Sequence, residues 1–495
     1  MIKKNILANL VGRFWSIFSI FLFLPIYLDF LGIENYSIIT YTLIIFALGV
    51  IIDSGLTTSL SRDFARADIK KPIKLKLLRS IESIYLLLIV VIIITLFSLS
   101  NYIAYNWINL TTVHPSDVSF LIKICSIDVG FQLLLRLYIN GLLGLEEQVK
   151  ANLYQIGWGI VRNGLVVIIL FLKPTLEFFF IYQTIVTIIF VVLLRISLIK
   201  VLIGKYEFNF LFKIELSVLK NSWKFVVGVT IIALVAALNT QVDKLMIGKL
   251  LPIETLGYYS LAVSLAMGIM VLVNPISMAL LPRFTKLYSL NEFKKASDLF
   301  HDYFSLAVIL SFSAFSIMFF FSKEIITLWI NNPDLADKSH IYLPILAFTG
   351  AMLAISLLPY NIAIAKGHTR IFKIGGITTL IITIPLYWFS IKLYGPIGSA
   401  YVYCLVQSIA VLVYINLINK KFINLKSTFK MYIHDLIFPF IISFTVAYMF
   451  SFIPIWAINN KLLLFSWISL AAVFCVCSSL FILVPIKKIK KIISN

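Results

Sequence analysis

Apolar residues fall along this chain in long blocks separated by brief polar, Gly- or Pro-containing breaks. The first block, roughly Leu7 to Phe30, and the second, roughly Tyr36 to Leu60, are each long enough to cross ~30 Å of hydrocarbon as a helix. Only Gly32, Ile33, Glu34 and Asn35 lie between them, which predicts a tight helical hairpin. A burst of positive charge follows, from Arg62 and Arg66 through Lys70, Lys71, Lys74 and Lys76 to Arg79. The alternation then repeats, with blocks near 80–100, 117–140, 152–172, 175–197, 222–248, 257–281, 301–322, 341–364, 371–391, 396–419, 434–453 and 462–485, fourteen in all. The chain is therefore read as an all-α polytopic membrane protein, because a helix satisfies its backbone polar groups within the segment that crosses lipid.

Composition agrees: 61% of the 495 residues are hydrophobic and 13% charged, and the mean hydropathy is +1.00, whereas soluble domains carry about 25% charged residues. The charges are also sorted. If the N-terminus is cytoplasmic, the inner segments hold 31 Lys and Arg and the outer segments 6. That asymmetry places both termini in the cytoplasm. The formal charge of +20 sits between apolar blocks, which points to anionic membrane lipid and away from nucleic acid. Lys3 and Lys4 before the first block look like a secretory signal, but the block is too long and lacks a small-residue cleavage site, so an uncleaved first span is expected. All four cysteines fall inside predicted spans, and Cys475 and Cys477 point to different helix faces, so neither a disulfide nor a metal site is expected.

The chain also divides. GIENYSIITYTL followed by SLSRDFARAD is echoed by IETLGYYSLAVSL followed by LLPRFTKLYS, with Tyr36 and Tyr258 222 residues apart and Arg62 and Arg283 221 apart. Residues 204–221 place Leu211, Ile214, Val218 and Leu219 at helical spacing, as an amphipathic helix lying in the interface would. The expected organisation is an N-terminal lobe of six spans (1–203), this linker (204–221), a C-terminal lobe of six spans (222–420), and two further spans with a basic tail (421–495).

NLVGRFW, FLPIYLDFLGIENYS, IDSGLTTSLSRDFARA and VDKLMIGKLLPIETLGYYSLA together resemble the Wzx-type polysaccharide biosynthesis (O-antigen) flippases. Their superfamily, the multidrug/oligosaccharidyl-lipid/polysaccharide exporters, also contains multidrug and toxin extrusion proteins and lipid II flippases. The resemblance implies alternating access between two lobes around a cavity. It implies a cargo of undecaprenyl-diphosphate-linked oligosaccharide, destined for O-antigen, lipopolysaccharide, capsule or another surface polysaccharide. A polysaccharide polymerase and a chain-length regulator are the protein partners it suggests. No organic cofactor is expected, and H⁺ or Na⁺ is the coupling ion it suggests.

Charges inside a bilayer need a partner or a wet cavity. Five basic residues lie within or at the edge of spans: Lys123, Arg136, Arg162, Lys224 and Lys244. Asp128 and Arg162 lie at matching depths, about 18 and 15 Å from the inner ends of the fourth and fifth spans at 1.5 Å per residue, so they can pair. Lys123 and Arg136 would then remain as the positive lining an anionic diphosphate requires, or as anchors near the membrane surfaces, and Arg13, Lys123, Asp128, Arg136 and Arg162 together are the candidate substrate-binding residues of the cavity. Arg13 lies on a polar stripe with Asn5, Asn9, Gly12 and Ser16 and either faces a cavity or snorkels to the inner surface. Asp53 is expected to pair with Arg62, Arg66 or a helix cap, with gating as a further role. Asp243 and Lys244 end a polar cluster in the seventh span; Asp243 is the ion-coupling candidate by analogy with the superfamily, or else half of a salt bridge.

There is no Walker loop, DxD motif or nucleophile elbow, so an enzyme is not expected and no catalytic residue is assigned. Two rivals remain. A cation-coupled multidrug exporter would favour acidic cavity walls, and a membrane glycan polymerase or ligase would need a sizeable outer loop.

Overall fold

A computed structural model describes residues 2–66, 69–204, 212, 223–368, 370–423, 432–453 and 460–483, apart from some side chains early in the first and seventh helices. Among them are thirteen helices long and apolar enough to cross a membrane. The first of these belongs to α1 (Ile2–Ala65), which breaks at Gly32 (φ 77°, ψ 173°). Sixty-four residues in one rod would extend about 96 Å, some three bilayer cores. Gly32 has a positive φ that a side chain would strain, so α1 is two helical arms that meet at the predicted turn. The protein is a multi-pass, all-helical membrane protein.

The helices that follow are α2 (Lys71–Tyr102), α3 (Pro115–Gly144), α4 (Gln148–Gly159), α5 (Val166–Leu172), α6 (Leu176–Ile203), α7 (Trp223–Leu250), α8 (Ile253–Ser289) and α9 (Phe293–Phe320). They continue with α10 (Ser322–Ile330), α11 (Pro333–Ser339), α12 (Leu343–Ala365), α13 (Arg370–Tyr394), α14 (Pro396–Ile418), α15 (Phe438–Ser451) and α16 (Lys461–Leu483). Two differences from the sequence reading have plain causes. α2 begins near Lys71, not near residue 80, because Lys and Arg are good helix formers whose heads reach water while their stems stay apolar. The connection left between the predicted spans 301–322 and 341–364 folds into α10 and α11, the latter capped by Asn332 accepting from the Leu335 N–H at 3.1 Å. Apart from Gly204 and Phe212, the predicted interfacial helix at 204–221 lies outside the described residues.

The chain forms two compact units, Met1–Gly257 and Tyr258–Asn495. In the first, α3 is central: it packs on the second arm of α1, on α2 and on α6, and α7 runs along α1. Its core gathers Leu60, Phe64, Leu78, Tyr85, Leu137 and Leu198. Gly55 allows the close approach of α7, since a Cβ there would stand 2.4 Å from the Val226 carbonyl oxygen. In the second unit α12 packs on α9 and α14, and α15 and α16 attach to the same α9. Their junction is polar: the Ser443 hydroxyl is 3.1 Å from that of Ser313 and 3.0 Å from that of Ser479. Small residues and hydroxyls suit helix contacts in lipid, where apolar burial alone gives no gain. Rows such as Leu87, Val91 and Ile94 on one face of α2 are exposed and require lipid against them. All four cysteines are free thiols.

Candidate functional site

The charged groups of the first unit converge on α3. Arg162 sits in a π-helical turn, Ile160–Gly164, between α4 and α5, and the wider turn re-aims its side chain inward. Tyr182 and Tyr27 donate to the carbonyls of Val161 and Asn163 at 2.9 and 2.6 Å, steadying the turn on both sides of Arg162. The guanidinium grips Asp128 of α3 with both terminal nitrogens, at 2.8 and 2.7 Å. It also donates to the Thr187 hydroxyl at 2.6 Å, the Gln183 side chain at 2.9 Å and the Gln183 carbonyl at 3.2 Å. Gln132 donates to Asp128 at 2.7 Å, and the Trp158 ring lies 5.3 Å from the guanidinium carbon. Arg162 and Asp128 are both buried. This is the pairing that their matched depths predicted, and it leaves no charge of either residue open.

A second pair lies one helix away. Asp53, on the second arm of α1, accepts from the Arg136 Nε at 3.0 Å and from the Tyr85 hydroxyl of α2. Its partner is therefore Arg136, and not Arg62 or Arg66; Arg62 pairs instead with Asp63 at 3.0 Å. The packing of α3 on α1 brings Arg136 beside Asp53, whereas Arg62 and Arg66 lie more than two turns further along the chain. The Arg136 side chain keeps 39% of its exposure, and its bond to Asp53 runs through Nε alone. A third pair, Glu82 with Arg195 at 3.0 Å, has the Tyr138 hydroxyl as a further partner of Glu82. The sequence reading singled out neither Glu82 nor Arg195; the signal was a lone acid three residues inside an apolar run.

Lys123 is half-buried in α3, and among the described residues its ammonium has no acidic partner. It and Arg136 are thirteen residues apart, about 20 Å along the helix and on different faces. They form two separate stations. Asp243 is buried in α7, and Lys244 donates to Gln241 at 3.2 Å, so the two adjacent residues turn apart as helical spacing requires. The Arg13 side chain lies outside the described residues.

Among the described residues, the core of the first unit thus holds the closed Arg162–Asp128 pair, Arg136 bound to Asp53 through Nε alone, and Lys123 without an acidic partner. The model of the polysaccharide biosynthesis protein family matches residues 2–288, more than half of the chain. The chain belongs to this family. A second model, MatE, matches residues 229–389. Among solved structures, the lipid II flippase MurJ in an inward closed conformation shares the fold of this family member with a TM-score of 0.71 and 17% identity, over 96% of this chain and 97% of that one. The MATE multidrug transporter DinF-BH gives 0.63 and 15%, over 86% and 96%. A mutant of the Vibrio cholerae MATE transporter VcmN gives 0.60 and 12%, over 84% and 96%. No curated protein matches the sequence.

Proposed function

We propose that this protein is a flippase for undecaprenyl-diphosphate-linked oligosaccharide in a bacterial inner membrane, opening first to the cytoplasmic and then to the outer face. Both termini are cytoplasmic in this reading, and residues 1–203 and 222–420 act as the two lobes. Membership of the polysaccharide biosynthesis family supports the cargo class. The observation that carries the mechanism is Lys123, an ammonium inside a span whose charge no described acid offsets. Such a charge is costly in lipid and is retained where an anionic group passes. Lys123 and the free edge of Arg136 then act as successive stations for the diphosphate, while the Arg162–Asp128 pair holds the helices that carry them. H⁺ or Na⁺ coupling falls to Asp243, the buried acid of α7. The polymerase and chain-length regulator of the same glycan are the protein partners.

The test is complementation of a strain deleted for this gene. Lys123→Ala should lower surface glycan roughly ten-fold or more, as expected for losing one charge-assisted bond, with unchanged membrane levels, and Lys123→Arg should restore much of it. Wild-type glycan in the Lys123→Ala, Arg136→Gln double variant would remove the proposal. Restored drug resistance without any glycan effect would favour the exporter reading.

A further inference from the structure

Three connections that the charge pattern assigns to one face of the membrane meet in a single hydrogen-bonded knot. The buried Glu34 carboxylate, just after the Gly32 break, accepts from the Thr111 N–H at 2.8 Å, the Thr112 N–H at 3.1 Å, the Val113 N–H at 3.3 Å and the Thr112 hydroxyl. The same segment is stitched on its other side to the turn between α7 and α8. The Ile253 N–H donates to the Asn109 carbonyl at 2.8 Å, and the Asn109 N–H to the Gly248 carbonyl at 3.3 Å. Lys249 donates to the Asn106 carbonyl and stacks over Trp107, and the Thr111 hydroxyl lies 3.3 Å from Glu254. The dipeptide Ile-Glu occurs in both echoing stretches, as Ile33-Glu34 and Ile253-Glu254, and an acid from each holds the segment.

The two attachments are not alike. On the Glu34 side a buried carboxylate is satisfied by four donors, and separating them would strand a charge. On the α7–α8 side the backbone bonds of Asn109 to Gly248 and Ile253 join neutral groups, and Asn106, Asn109 and Thr111 are exposed, so parting that side strands no buried charge. We infer that residues 106–113 are a latch, anchored on Glu34 and released from the 248–254 turn whenever the protein opens at that face. This rests on the alternating opening proposed above and adds which contacts stay and which part.

The test uses the full-length protein with its four native cysteines replaced and the pair Asn109→Cys, Pro252→Cys introduced where the two backbones run side by side. Oxidation should cross-link the pair, abolish glycan export, and allow recovery on adding reductant, which excludes misfolding. Glu34→Ala should lower the cross-linking rate about ten-fold, with Glu34→Gln between, as for loss of charge-assisted bonds. A transport-independent arm reads, by mass spectrometry of the peptide that carries residue 123, the labelling of Lys123→Cys by a membrane-impermeant maleimide added at that face: slow in the cross-linked protein, faster after reduction and removal of the reductant. Export at full rate while cross-linked, labelling indifferent to the cross-link, or cross-linking indifferent to Glu34→Ala would each overturn the latch. Normal glycan in the deletion strain would instead defeat the proposed cargo and leave the cross-linking and labelling arms to judge the latch.

Discussion

Arg162 shows how a buried charge in this protein is made tolerable. A planar fork meets a carboxylate with two nearly parallel bonds of 2.8 and 2.7 Å, and Thr187 and Gln183 take the donors that remain. Removing one member leaves the other charged and unpaired, at a cost of about 3–5 kcal/mol. Arg162→Ala and Asp128→Ala should therefore both lower thermal stability in detergent and membrane abundance. Arg162→Lys should recover only part, because an ammonium cannot reproduce the fork. Equal melting temperatures for wild type and Arg162→Ala would contradict the network. The contrast with Lys123→Ala, expected to keep its membrane level, separates a residue that holds helices together from one that meets cargo.

For whole helices, close approach decides packing. α7 lies against α1 because Gly55 has no side chain: a Cβ would come within 2.4 Å of the Val226 carbonyl and 2.6 Å of the Thr230 hydroxyl. Gly55→Ala should destabilise the first unit by about 1–3 kcal/mol as an overpacked contact. Gly228→Ala, where nothing lies within 4 Å, should be neutral or slightly stabilising because alanine is the better helix former. Thermal melts of the two variants side by side check this, and equal losses would show that the effect comes from glycine itself and not from the contact. Element existence was legible in the hydrophobic blocks, since span length follows from bilayer thickness. The π turn at 160–164 was not, because nothing local in IVRNG distinguishes it from an ordinary helical turn; the grip of Asp128 and Gln183 from neighbouring helices selects it.

Across the whole chain, the expectation that charge sorting sets topology makes a direct prediction. Single cysteines placed at Lys3 and at Lys491 should both resist an impermeant thiol reagent in intact cells and react after permeabilisation, whereas one at Lys173 should react from outside. Labelling of either terminus from outside would reverse the assignment of faces. The candidate site was legible in part at this scale: the sequence picked out the fourth and fifth spans and the Asp128–Arg162 pair, because charges are rare enough in lipid for depth alone to match them. It misassigned the partner of Asp53 and overlooked Glu82, Arg195 and Glu34, whose partners lie on helices or connections 77 to 113 residues away.

By itself, the order of apolar and charged residues determined which segments become long apolar helices and where the chain breaks between them, because span length follows hydrocarbon thickness, and it sets the expectation of which connections share a face. Tertiary structure alone decided which acid meets which base and which loop clasps which turn. Those choices depend on the direction of each side chain around its helix and on the approach of segments far apart in the chain, and a one-dimensional pattern of hydrophobicity carries neither.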